Sequence, residues 1–371
     1  MTTTLRVILE QPTPLGDIDA AAASRELAVA LAVTAPSGCD VRAIVPSDAD
    51  RGLAETLPRL AGVDRLPMPG ATVAGLWRAG TRVGAGDGLI HSPTLAAPLV
   101  KHDRVHDHDQ TAVTLWDLRA WENPDELPRA AVAWSRAMLR RAVRHADAVV
   151  VPTHALAARL AEIAPLGDRI RVIAGAPAAA LRVPSDEIGR RRALNLPEGY
   201  VLTSGSAAPS AGLRTAFEAL VAAGRDTAVV VLDAPEGEEP AIAEIASAAG
   251  LPERRLHIRG RLDVPDRAAV FAGAVAHLAA AGDGAYPWRV LDALRVGVPV
   301  VAADTPTHRE VLLDAAAFAQ PDDADALGAE LAATLSSTQA VERLSVLASD
   351  RGRAFTWPGA AERVWQLHAE L

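Results

Sequence analysis

The chain has 371 residues, of which 50% are hydrophobic and 22% charged, and it carries a formal net charge of −9. That length exceeds one compact core and suits two domains, while the negative balance argues against a nucleic-acid binder that works by neutralising phosphates. The apolar runs are Ala-rich and broken by charge or Pro, short of the roughly 20 residues of a membrane helix; the opening Met1–Glu10 lacks signal-peptide features, and the single Cys39 excludes an internal disulfide, so the expectation is a cytosolic protein.

Short β-branched runs alternate with helix-period segments along the chain. Leu5–Leu9, Val41–Val45, Gly88–His91, Ala112–Leu115 and Ala148–Val151 come first; Arg169–Ile173, Tyr200–Thr203, Ala228–Leu232, Leu256–Arg259, Ala274–Ala280 and Pro299–Ala302 follow. Such alternation predicts parallel strands with crossover helices. Ala174–Pro184 is rich in Ala, Gly and Pro without a helical stripe, which sets a boundary near 174–186. The expectation is an α/β chain of two doubly wound domains, 1–178 and 179–354. Residues 355–371 form a helix, with Ala360, Val364 and Leu367 on one face, that crosses back to the first domain. Ligands of open α/β sheets bind outside the carboxyl ends of the strands, so a cleft between the two sheets is the expected site.

Several polar clusters carry two readings each. His102, His106 and His108 sit among aspartates before a strand, where a solvated turn outweighs a metal site, and no metal is assigned. Arg136, Arg140 and Arg144 recur every four residues beside Arg141. They form either a solvated helix face or a peripheral membrane contact worth about 1 kcal/mol per residue. Trp77, Trp116, Trp121 and Trp134 read as packing, with sugar stacking the second role of Trp116 and Trp121; His91 reads as an acceptor-side group or, the favoured reading, a satisfied strand-end histidine.

An ordered series of blocks carries a family likeness. Residues 141–154 (RAVRHADAVVVPTH), 169–177 (RIRVIAGAP), 196–205 (LPEGYVLTSG), 256–262 (LHIRGRL) and 290–304 (VLDALRVGVPVVAAD) resemble bacterial family-4-type, retaining glycosyltransferases of the GT-B fold. The resemblance spans nearly the whole chain. It implies two Rossmann-like domains, an acceptor side first and a nucleotide-sugar side second, and transfer of a sugar from a UDP- or GDP-sugar to a glycan or lipid-linked acceptor. It implies no metal and no separate cofactor.

The family's functional positions depart here in four places. Gly16 is followed by Asp17-Ile18-Asp19 in place of further glycines, and Trp116 stands beside Asp117 where the family has His-Asp. Ser210 and Ala211 replace an Arg and a Lys in the loop 205–214, leaving Arg214, Gly205 and Gly212 to face phosphate. Two glutamates eight positions apart become Gly284 and Asp292, with Asp283 one residue before the first. Removing a charge-assisted contact to a developing oxyanion costs about 2.7–4 kcal/mol. The expected donor-side set is therefore Gly205, Ser210, Gly212, Arg214, Asp283, Asp292 and Glu310, with Glu310 capping its helix; the acceptor side has Gly16, Trp116 and Asp117. Two readings follow: a divergent transferase of bacterial envelope or polysaccharide assembly with weakened activity, or a catalytically silent partner of an active transferase or homo-oligomer.

Overall fold

The structure, a computed structural model, describes residues 2–10, 17–57, 59–84, 86–106 and 108–371, without the side chain of Ala54. It contains two compact units. One comprises Met1–Ala176, Gly284–Tyr286 and Thr356–Leu371, the other Pro177–Asp283 and Pro287–Phe355.

The first unit is built on seven strands: β1 (Thr3–Ile8), β2 (Cys39–Val45), β3 (Gly62–Arg65), β4 (Leu89–Ser92), β5 (Gln110–Thr114), β6 (Ala148–Val151) and β7 (Ile170–Val172). They pair in parallel in the order β3-β2-β1-β4-β5-β6-β7. Central strands of such a sheet are covered on both faces and need unbroken apolar runs; Ala148–Val151 is buried at every residue. Asp17 starts the helix Ile18–Val33 by accepting from Ala20 N at 3.0 Å, and Thr153 does the same for His154–Ile163. The terminal helix Trp357–Glu370 packs within this unit, burying Ala360, Val364 and Leu367 and donating from Trp365 Nε1 to Leu31 O at 3.1 Å.

The second unit has six strands: β8 (Tyr200–Ser204), β9 (Ala228–Leu232), β10 (Leu256–Ile258), β11 (Ala274–Ala279), β12 (Val300–Ala303) and β13 (Ala316–Ala319). Their order is β10-β9-β8-β11-β12-β13, again all parallel. The chain reverses its direction of strand addition between β1 and β4 in the first sheet and between β8 and β11 in the second. At such switch points adjacent crossovers leave to opposite faces and open a crevice at the carboxyl edge. The edge strands β3 and β13 were not among the expected ones. Both are four residues long, and neither alternates polar with apolar.

One assignment needs correcting. The helix Pro306–Leu312 is capped by Thr305, whose side chain accepts from His308 N at 3.1 Å, with Pro306 at the first position. Glu310 lies in the last turn of that helix, half-buried, and the N-cap position belongs to Thr305.

Candidate functional site

On the second unit, the carboxyl edge is shaped by two glycines. Gly205 leaves β8 with φ +141° and donates to Leu232 O at 3.0 Å; a Cβ there would press on that of Ala211. After a single 3-10 turn, Pro209–Ala211, Gly212 takes φ +70° and packs its α-carbon against the carbonyl of Ala280, beyond β11. Any side chain there would both strain the backbone and collide with that carbonyl.

The helix Leu213–Ala222 begins directly after Gly212 with no side-chain cap. Its first N–H groups therefore point outward with the positive end of the helix dipole, a geometry that accepts an anion. Arg214 projects from this first turn, exposed, and among the described residues has no carboxylate partner. Ser210 is half-exposed in the turn before it. The donor-side residues Gly205, Ser210, Gly212 and Arg214 thus share one loop and one helix start.

Asp283 and Asp292 are placed differently from one another. Asp283 accepts from Thr307 N at 3.2 Å, so its carboxylate adds a second acceptor to the start of the Thr305-capped helix. Asp292, on the helix Trp288–Val296, is 2% exposed and sits between Arg289 Nη1 at 2.9 Å and Arg267 Nε at 3.0 Å. Arg289 also pairs with Asp233, which follows β9 in a left-handed conformation with φ 60°. Two guanidinium groups and two carboxylates make a charge-balanced network, buried except for the partly exposed Asp233, in which Asp292 faces cations from two helices.

On the first unit, Gly16 lies outside the described residues. Trp116 follows β5 and is 7% exposed; its Nε1 donates to Pro93 O at 2.9 Å, and its ring lies 5.8 Å from that of Tyr286. Asp117 beside it is buried and accepts from Arg119 N at 3.0 Å and Arg119 Nη2 at 3.1 Å. The same Nη2 donates to Asp17 at 3.2 Å. Burial, with the Asp117 charge adding to it, raises the Asp17 carboxyl against the opposing pull of the Ala20 N–H and Arg119. Gly284 donates no side chain, and its backbone instead pairs with this segment: Leu118 N donates to Gly284 O at 2.9 Å and Ala285 bridges Asp117.

At the same edge lies a cavity of about 280 Å³. Glu10, Asp17, Asp48, Asp50 and Thr94 line it, a set of acceptors suited to hydroxyl groups. Glu10 is tied to Arg25 at 2.6 Å, and Asp48 receives Gly70 N at 2.9 Å. Sequence reasoning missed Asp48, Arg267, Arg289 and Asp233. For Arg289 and Asp292 a signal existed, since both fall i, i+3 among apolar residues of one helix.

The remaining clusters resolve as follows. Trp77 and Trp134 are buried in the apolar core of the first unit, with Trp121 packed against it. His106 pairs with Asp103 at 2.8 Å in a turn, and among the described residues no group of three or more His, Cys, Asp or Glu is placed to hold a metal. Of the arginine face, Arg136 donates to Ala120 O and Arg141 to Leu99 O, while Arg140 and Arg144 are exposed. His91 is fully buried, and neither ring nitrogen has a hydrogen-bond partner among the described residues. It is therefore an unsatisfied core histidine, contrary to the expectation. No described helix is long and apolar enough to cross a membrane.

No family model and no curated protein matches the chain. Solved structures do. A sucrose-phosphate synthase from Thermosynechococcus elongatus is similar with a TM-score of 0.74 at 19% identity, over 99% of this chain and 98% of that one. Anabaena HepE, solved with UDP, is similar with a TM-score of 0.71 at 18% identity over the full length of both chains. WaaG, a glycosyltransferase involved in lipopolysaccharide biosynthesis, gives 0.65 at 14% identity over 97% of this chain and 98% of its own. With two parallel sheets, each carrying its switch point and a carboxyl-edge crevice, and with these likenesses over essentially the whole length, the chain has the GT-B fold of the glycosyltransferases.

Proposed function

We propose that the chain binds a nucleoside-diphosphate sugar on the carboxyl edge of its second unit and transfers the sugar to a hydroxyl of a glycan or lipid-linked acceptor. The observation that carries this reading is the uncapped helix start at Leu213 behind Gly205 and Gly212, with Arg214 beside it and unpaired among the described residues. Outward N–H groups and a free guanidinium supply what a diphosphate needs when an Arg-Lys pair is missing. The carboxylate-lined cavity of the first unit supplies acceptors for sugar hydroxyls. UDP-glucose is the first donor to test, because HepE was crystallised with it. The biological setting in this reading is envelope or polysaccharide assembly on the cytoplasmic side.

The burial of Asp292 between Arg267 and Arg289 favours a second reading, donor binding without transfer. In that reading Asp292 orders the helix Trp288–Val296 and the chain serves as a binding partner of an active transferase. Calorimetry with UDP and UDP-glucose, alongside release of UDP in the presence of glycan acceptors, separates the two. Binding that weakens in Arg214→Ala, with turnover, supports the first; binding without turnover supports the second. Absence of UDP, GDP and sugar-nucleotide binding at millimolar concentration overturns both.

A further inference from the structure

At the opposite end of the first sheet from Asp17 and Asp117 lies a larger cavity, of about 480 Å³. It is framed by the amino ends of β6 and β7, the carboxyl end of the helix Arg129–His145, and the loop that leads into β5. Five fixed cations line it: Lys101, Arg104, Arg144, Arg169 and Arg171. Among the described residues none of the five has a carboxylate ion-pair partner. Against them stand the carboxylates of Asp147 and Asp168.

Asp147 is already engaged. Its Oδ2 accepts from Thr111 N at 2.8 Å and lies 2.8 Å from His102 Nε2, whose other ring nitrogen is 2.9 Å from Val100 O. Arg169 is held in place, donating to Ala146 O at 2.9 Å and Val143 O at 2.8 Å, so its position is preset while among the described residues no carboxylate pairs with it. Positive crowding is felt by the neighbouring ring: His145 is held below its ordinary pKa by burial and then by Arg141, His102 and Arg144. A chain with a net charge of −9 thus concentrates unpaired positive charge in one concavity. Five fixed cations facing two carboxylates leave a net repulsion, and a multiply charged anion relieves it.

We propose that this cavity is a binding site for a compound carrying a phosphomonoester or pyrophosphate group, separate from the donor and acceptor edges. The volume falls in the range of small-molecule sites, about 300–1,000 Å³. Guanidinium forks from several directions match tetrahedral phosphate oxygens better than one planar carboxylate. The phosphate is carried either by a soluble metabolite or by a lipid headgroup.

The test is titration of the full chain with inorganic pyrophosphate, with UDP present in excess so that the donor edge is occupied. Saturable binding is expected. Two removed charge-assisted contacts predict a loss of at least about tenfold in affinity in the double variant Arg104→Ala, Arg144→Ala, whereas Arg225→Ala, exposed on the second unit, leaves it unchanged. Both replaced side chains are exposed, and the ring nitrogens of His102 and His145 give a local readout in the unmodified chain, shifting in the NMR spectrum as the anion enters. Sedimentation with phosphatidylglycerol–phosphatidylcholine vesicles separates the sources: co-sedimentation lost in the double variant assigns a headgroup, and pyrophosphate binding without co-sedimentation assigns a soluble compound. Failure to bind either, equal binding by the double variant, or unmoved histidine signals overturns the proposal.

Discussion

Three histidines are buried in the neutral form, and acid should expose the cost. Burial pushes His91 and His277 down to about 3 and His368 down to about 4, with His368 adding to the effect at His91, and His308 and Arg289 adding to it at His277. Unfolded histidine titrates near about 6.5. Each folded-state pKa is depressed, so the unfolded chain holds the proton more tightly. Stability is complete above about pH 6.5 and is lost as the pH falls from there toward the folded values. Between about pH 8 and about pH 5 each group removes about 2 kcal/mol. His91 and His368, with rings 5.6 Å apart, act on the first unit, and His277 acts on the second. His102 works the other way: its hydrogen bond to Asp147 raises its pKa, so its contribution is present in acid and lost as the pH rises through the folded value. Urea unfolding at the two pH values, read by a probe in each unit, measures these terms. His91→Leu isolates one of them. Neither ring nitrogen of His91 has a hydrogen-bond partner among the described residues, so the variant should fold at pH 8 and recover about 2 kcal/mol of the acid loss. A variant with the same pH dependence as the parent would refute the assignment of His91 as a buried neutral base.

Other outcomes follow from single contacts. Gly212→Ala combines a left-handed backbone with a collision at the Ala280 carbonyl, and should cost more than about 1 kcal/mol in urea unfolding and abolish UDP binding measured by calorimetry. Arg214→Ala, at an exposed position, should leave stability within about 0.5 kcal/mol and weaken UDP about tenfold or more. Asp292→Asn should destabilise the second unit by about 3–5 kcal/mol by stranding Arg267, since Arg289 keeps Asp233, with the chemical denaturation midpoint as the readout.

Among the strands that sequence reasoning found, the clearest are those whose burial demands unbroken β-branched runs. Val229–Leu232 and Val149–Val151 lie inside their sheets and advertise themselves. β13 is Ala-Ala-Phe-Ala, a composition equally at home in a helix, and β3 is Gly-Val-Asp-Arg with its last residue exposed; both gain their conformation from the neighbouring strand's free edge, which no local window contains. Thr305-Pro306 was readable as a helix start, since an N-cap hydroxyl before Pro at the first position is a local device. Glu310 was assigned that role instead through family likeness.

Asp292 shows the same division at the level of chemistry. Its place on an amphipathic helix was readable from spacing, and the likeness to a donor motif supplied a role. Its actual neighbours come from the helices Val264–Gly273 and Trp288–Val296, with Asp233 after β9 completing the network, separations of 25 and 59 residues from Arg267 and Asp233 that only the folded sheet brings together. A carboxylate in that setting is stabilised by two guanidiniums, and withdrawing it toward a ribose hydroxyl would leave Arg267 buried with no other carboxylate ion pair among the described residues. A neutral hydroxyl donor cannot offset that loss, because breaking a buried pair costs about 3–5 kcal/mol and one hydrogen bond returns about 0.5–1.5 kcal/mol. In the proposed donor reading the contacts therefore fall to groups that are not already committed, the first N–H groups of the helix Leu213–Ala222 and the exposed guanidinium of Arg214.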